Sequence, residues 1–163
     1  MFVFNKESNN FSTNKHISFL FSTIICNFAI QKKQNMILPI IAYGDPVLRK
    51  VGVDIDKDYP GLEQLIKDMY DTMYNASGVG LAAPQVGKAI RLFIVDTEPF
   101  SDSDDVSKEE VAAMKAFKKT FINAKIIKEE GDIWGFNEGC LSIPDVREDV
   151  FRHETITIEY FDE

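Results

Sequence analysis

The chain has 163 residues, 45% of them hydrophobic, and a formal net charge of −8. That is enough chain for one globular domain with a core of its own. The charge is uneven: residues 1–35 carry a net +3 and residues 36–163 a net −11. So acidic a body repels a phosphate backbone, which argues against nucleic acid as a direct partner.

Residues 1–35 differ in character from the rest. Residues 17–30 are mostly apolar but broken by Ser18, Ser22, Thr23 and Asn27, and fall short of the roughly 20 residues a spanning helix needs. Lys6 and Lys15 precede the run, but no small-x-small cleavage site follows it. Residues 1–35 are therefore read as an N-terminal extension outside the fold, with Met36 a natural alternative start. Cys26 and Cys140, in segments of unlike character, do not have the spacing of a secreted disulfide framework. The setting expected is reducing and cytoplasmic, with no membrane attachment.

Regular organisation begins at Met36. A short apolar run over 36–41 leads into Tyr43-Gly44-Asp45-Pro46, dense in turn formers. Residues 61–75 read as a helix, because Leu62, Leu65, Ile66, Met69, Tyr70 and Met73 form one apolar stripe. Core packing explains that stripe better than a ligand pocket does. Residues 91–96 read as a buried strand. Residues 98–119 are polar, and Ser101-Asp102-Ser103-Asp104-Asp105 lacks the glycine and the spaced glutamate of a calcium loop. Ser107-Lys108-Glu109-Glu110 fits a capping box and predicts a short helix. Residues 120–130 and 133–136 read as strands paired around a Gly131-Asp132 turn, and residues 146–151 and 155–160 as two more. Clustered strands and few helices point to an α+β fold.

Two segments carry chemistry. Gly78-Val79-Gly80-Leu81-Ala82-Ala83-Pro84-Gln85-Val86-Gly87 is rich in small residues that allow close backbone approach, as a tight turn or a ligand loop. It lacks the Lys-Ser/Thr pair of a phosphate loop. Gln85 stands out as an amide in an apolar stretch: buried, it needs partners; otherwise it faces a site. In Glu138-Gly139-Cys140-Leu141-Ser142-Ile143-Pro144, Cys140 is either an inert core residue or a thiolate presented at a strand end.

Taken together, the two segments resemble the first two signature motifs of the peptide deformylase family, Gly-x-Gly-x-Ala-Ala-x-Gln and Glu-Gly-Cys-Leu-Ser. The resemblance runs from about residue 36 to the last residue and includes Pro39-Ile40, Gly44-Asp45-Pro46-Val47-Leu48-Arg49 and Arg147. It implies antiparallel sheets around a helix and a metal-dependent hydrolase. The implied reaction removes the formyl group from N-formylmethionyl peptides as they emerge from the ribosome, which the enzyme would approach only in passing. Cys140 would bind the metal, typically Fe2+ with Zn2+ as a substitute, together with two histidines of a His-Glu-x-x-His helix. That helix's glutamate would take a proton from the metal-bound water. The Gln85 side-chain amide and the Leu141 backbone N–H would stabilise the oxyanion. Val79, Gly80 and Gly139 would hold the substrate peptide as an added strand, with Arg147 at the mouth of the site.

The third motif is not among these 163 residues. Only His16 and His153 are present, and His153-Glu154-Thr155-Ile156-Thr157 ends in threonine within a β-branched run. It reads as strand, where positions i and i+4 do not cup a metal. The expectation is a domain over 36–163 cut off before its metal-binding helix, marginal in stability and inactive as a 163-residue polypeptide. Two other readings stay open: a non-catalytic peptide-binding remnant, and a thiol hydrolase with Cys140 as nucleophile and His153 as base.

Overall fold

A computed structural model of the chain describes residues 36–102 and 107–162. The extension over residues 1–35 lies outside the described residues. The elements run α1 (Leu62–Asn75), β1 (Gly80–Ala82), β2 (Leu92–Asp96), α2 (Lys108–Ala116), β3 (Lys118–Cys140) and β4 (Ile143–Phe161), with 3-10 turns at Pro46–Arg49, Ala83–Val86 and Glu98–Asp102. This is the expected α+β class. The strands form one antiparallel sheet in the order β1-β2-β3-β4.

The apolar stripe of α1 packs on one face of this sheet. Ile66, Met69, Tyr70 and Met73 are buried, as are Leu81, Leu92, Ile94 and Ile122 from the strands, and Leu62 and Leu65 pack against the same cluster. Buried side chains of this size each contribute roughly 1.5–3 kcal/mol, so this cluster is what fixes the helix to the sheet. Two polar residues of α1 hold the chain that precedes it. The buried Asp68 carboxylate accepts from Met36 N at 3.0 Å and from Gln64 Nε2 at 2.8 Å. Thr72 Oγ1 accepts from Leu38 N at 2.8 Å and donates to Asp68 O at 2.6 Å.

The Ser107 cap is formed as expected: Glu110 N donates to Ser107 Oγ and Ser107 N donates to Glu110 Oε2. The expected hairpin at Gly131-Asp132 is not. β3 runs unbroken through these residues, and the link to β4 is at residues 141–142. Gly131 takes φ +82° and is absorbed as an irregularity where the register shifts between Glu130 and Ile133. A glycine that can adopt this conformation turns a strand or bulges it, and the opposing β4 decides between the two. For the same reason residues 146–151 and 155–160 are one strand and not two. Much of the β3–β4 ribbon is two-stranded, and Ile126, Ile127, Ile133, Val146, Phe151 and Phe161 are each more than half exposed on it. No helix among the described residues is long and apolar enough to cross a membrane.

Candidate functional site

The two segments singled out in the sequence meet in space. The first becomes strand β1, which ends in a 3-10 turn over Ala83–Val86, closed by Gly87 in the left-handed region at φ +80°. That turn aims Gln85 back toward the β3–β4 link. Gln85 Oε1 accepts from Ala82 N at 3.0 Å. Because a backbone N–H can only donate, the opposite end of the amide must be the NH2 group. Nε2 lies 3.2 Å from Ser142 Oγ and 3.8 Å from Cys140 Sγ.

Cys140 closes β3, opposite Ile143, and its thiol is exposed and free. It is therefore the presented sulfur of the two readings and not an inert core residue. Ser142 is buried. Leu141 turns its side chain into the core cluster, where its Cδ1 lies 2.7 Å from the point a Cβ on Gly78 would occupy. A glycine at 78 is what lets the β3–β4 link seat against the end of α1.

Residues 41–43 tie both loops together. Ile41 N donates to Gln85 O and Tyr43 N to Ser142 O, each at 2.8 Å. A pocket of about 220 Å³ opens beside them, lined by Tyr43, Asp45, Leu48, Arg49, Gln85 and Cys140 among others. Of the remaining expected residues, Gly80 lies on the edge strand β1 opposite Val95, and Val79 O accepts from Asp96 N at 2.9 Å. Gly139 pairs with Arg147. The Arg147 guanidinium is directed to Asn137, donating from Nε to Oδ1 at 2.7 Å and from Nη2 to the backbone carbonyl at 2.6 Å. Ser142 lies in the second segment singled out above but had no role assigned to it there, and no local pattern marked residues 41–43 as part of the site. Both act through contacts between residues 44 or more positions apart, beyond what local pattern reports.

The thiol-hydrolase reading fails on register. Cys140 pairs with Ile143, while His153 pairs with Ile133, ten positions further along β4. Ile133 is seven positions from Cys140 along β3, which at about 3.3 Å per residue is roughly 23 Å, far beyond hydrogen-bond reach. His153 instead places Nδ1 3.0 Å from Gly131 O. Nor do the residues present make a metal site by themselves. Among the described residues no three His, Cys, Asp or Glu side chains converge, so Cys140 offers one donor where a catalytic site uses three.

Comparison with known proteins agrees with this geometry. Residues 37–163 match the family model for polypeptide deformylase. A peptide deformylase of Flavobacterium psychrophilum is 74% identical over 128 residues, covering 78% of this chain and 66% of the relative. The chain thus spans just under two thirds of that relative's length. The crystal structure of peptide deformylase from Thermotoga maritima is similar with a TM-score of 0.64 at 31% identity, over 78% of this chain and 75% of that one. A class I type b peptide deformylase from Acinetobacter baumannii, solved with Met-Ala-Ser bound, is similar with a TM-score of 0.65 at 26% identity, over 79% of each chain.

Proposed function

This chain belongs to the peptide deformylase family, and on that premise we propose that it carries the substrate-holding and oxyanion-donating part of a hydrolase for N-formylmethionyl peptides. The observation that carries the reading is the Gln85 amide. Its oxygen is pinned by Ala82 N–H, and its nitrogen is turned toward the Cys140 sulfur at 3.8 Å. A donor fixed in advance beside the presented sulfur is what a tetrahedral oxyanion needs, since no reorganisation is required when charge develops.

In this reading Leu141 N–H is the second donor. Among the described residues strand β1 has a neighbour on one side only, β2, and its other edge receives the peptide as an added strand through Val79 and Gly80, with Gly139 flanking it. Arg147 lies one residue pair from Cys140 and would leave Asn137 to meet the peptide. Cys140 is one ligand of a divalent metal, Fe2+ or its substitute Zn2+, whose two imidazole ligands and catalytic carboxylate are not among these residues. The 163-residue polypeptide therefore holds peptide without hydrolysing it. The work belongs in the cytoplasm, on nascent chains at the ribosome.

The test is an NMR titration of the labelled 163-residue protein with a formylmethionyl tripeptide. Shifts confined to the amides of Val79, Gly80, Gly139 and Leu141 and to the Gln85 side chain are expected. Shifts centred elsewhere, or none at millimolar peptide, would reject the reading.

A further inference from the structure

We propose that Ser142 is a positioning residue that sets the Gln85 side-chain amide; the inference rests on the reading of Gln85 as an oxyanion donor. A primary amide carries one acceptor oxygen and two N–H donors. The oxygen is spoken for by Ala82 N at 3.0 Å. The CONH2 group is planar and turns about the Cγ–Cδ bond as one unit, so a single contact on its oxygen still lets it rock and carry the NH2 with it, and a second contact on the nitrogen stops that motion. Ser142 Oγ, 3.2 Å from Nε2, supplies the holding acceptor. With one N–H committed to Ser142, the other is left on the Cys140 side, where the sulfur stands 3.8 Å away.

The surroundings suit this task. Ser142 is only 4% exposed, so water does not compete for its hydroxyl, and an unanswered polar group at that depth is costly. Its backbone is fixed as well, because Tyr43 N donates to Ser142 O, and the same segment fixes Gln85 through Ile41 N and Gln85 O, both at 2.8 Å. Hydroxyl and amide are thus held on one strap, although Gln85 and Ser142 stand 57 positions apart in the chain. Ser142 itself touches neither sulfur nor substrate in this scheme, and acts only through Gln85.

The test uses the full 163-residue chain and the hydrogen-exchange rates of glutamine side-chain amides by NMR. In the unaltered protein one Gln85 N–H is expected to exchange more slowly than the other. Ser142→Ala is expected to raise that slower rate by about fivefold, the worth of one ordinary net hydrogen bond. The Gln64 amide, which donates to Asp68 Oδ1 at 2.8 Å, should not change. Ser142→Thr keeps the hydroxyl and should return the Gln85 rate to near its original value. An unaltered Ser142→Ala rate, or a threonine variant as fast as the alanine one, overturns the proposal. Two equally fast Gln85 protons in the unaltered protein overturn it without any variant. A formylmethionyl peptide that leaves the Gln85 signals unmoved would reject the oxyanion reading while the Ser142 result stood, so the two failures are separable.

Discussion

Thr72→Val tests whether the site's strap is anchored from behind. Thr72 is 1% exposed, and its hydroxyl is the acceptor for Leu38 N at 2.8 Å and a donor to Asp68 O at 2.6 Å. Valine fills nearly the same volume, so no cavity opens. What is lost is the acceptor, leaving the Leu38 N–H facing a methyl group. A part-buried donor stripped of its partner costs about 1–2 kcal/mol, the lower part of the range for a fully buried one, still a sizeable share of a typical net stability of about 5–15 kcal/mol. The loss should spread along the strap, because Ile41 and Tyr43 on the same segment hold Gln85 and Ser142. Urea unfolding gives the stability, and native-state amide exchange gives the path. Thr72→Val should unfold at lower urea and speed exchange at Leu38 first, then at Ile41 and Tyr43. Thr72→Ser, which keeps the hydroxyl, should retain that protection. A valine variant within about 0.5 kcal/mol of the parent, with Leu38 still protected, would refute the reasoning.

Two further outcomes follow from part-buried polar contacts near the core. Burial, and next the Asp96 carboxylate that accepts from Tyr74 Oη at 2.5 Å, push the Tyr74 hydroxyl well above the usual tyrosine range. A group whose folded pKa is raised gives stability that is fully present below its unfolded pKa, about 10, and is lost as pH climbs toward the folded value. Unfolding midpoints taken from pH 8 to 11 should therefore fall more steeply for the parent than for Tyr74→Phe, which should cost only about 1 kcal/mol at pH 7 because the ring is partly exposed. Asn123 sits at φ +54° and exchanges two hydrogen bonds with Ile55, accepting from its N–H at 2.9 Å and donating to its carbonyl at 2.7 Å. Asn123→Ala should lose roughly 2–3 kcal/mol in urea unfolding, with Ile55 exchanging faster. Asn123→Asp should lose less, since it keeps the acceptor.

The elements that sequence made legible were those whose signal is local. The stripe from Leu62 to Met73 marks α1 to within a residue at its start, because helix burial repeats every 3.6 residues whatever lies opposite. Ser107 and Glu110 announce α2 by a cap that closes within four residues. Failure came where pairing decides. Gly131-Asp132 has turn chemistry, but β4 pairs with β3 on both sides of it across a register shift, and a glycine that would turn a free strand instead bulges a paired one. The site was half legible. The motifs identified Gln85 and Cys140 as chemistry-bearing, but nothing in local pattern brings Ser142 Oγ to the Gln85 amide or Ile41 to its carbonyl. The separation of Cys140 from His153 likewise became visible only through the register of β3 on β4.

The most direct measurement is formate release from a formylmethionyl peptide by the 163-residue chain loaded with Fe2+ under anaerobic conditions. With a single sulfur donor at Cys140 and no three metal-ligating side chains converging among the described residues, formate should appear no faster than in the free-metal blank. Sustained turnover that disappears in Cys140→Ala would contradict that expectation, by showing that these residues complete a catalytic metal site without further imidazoles.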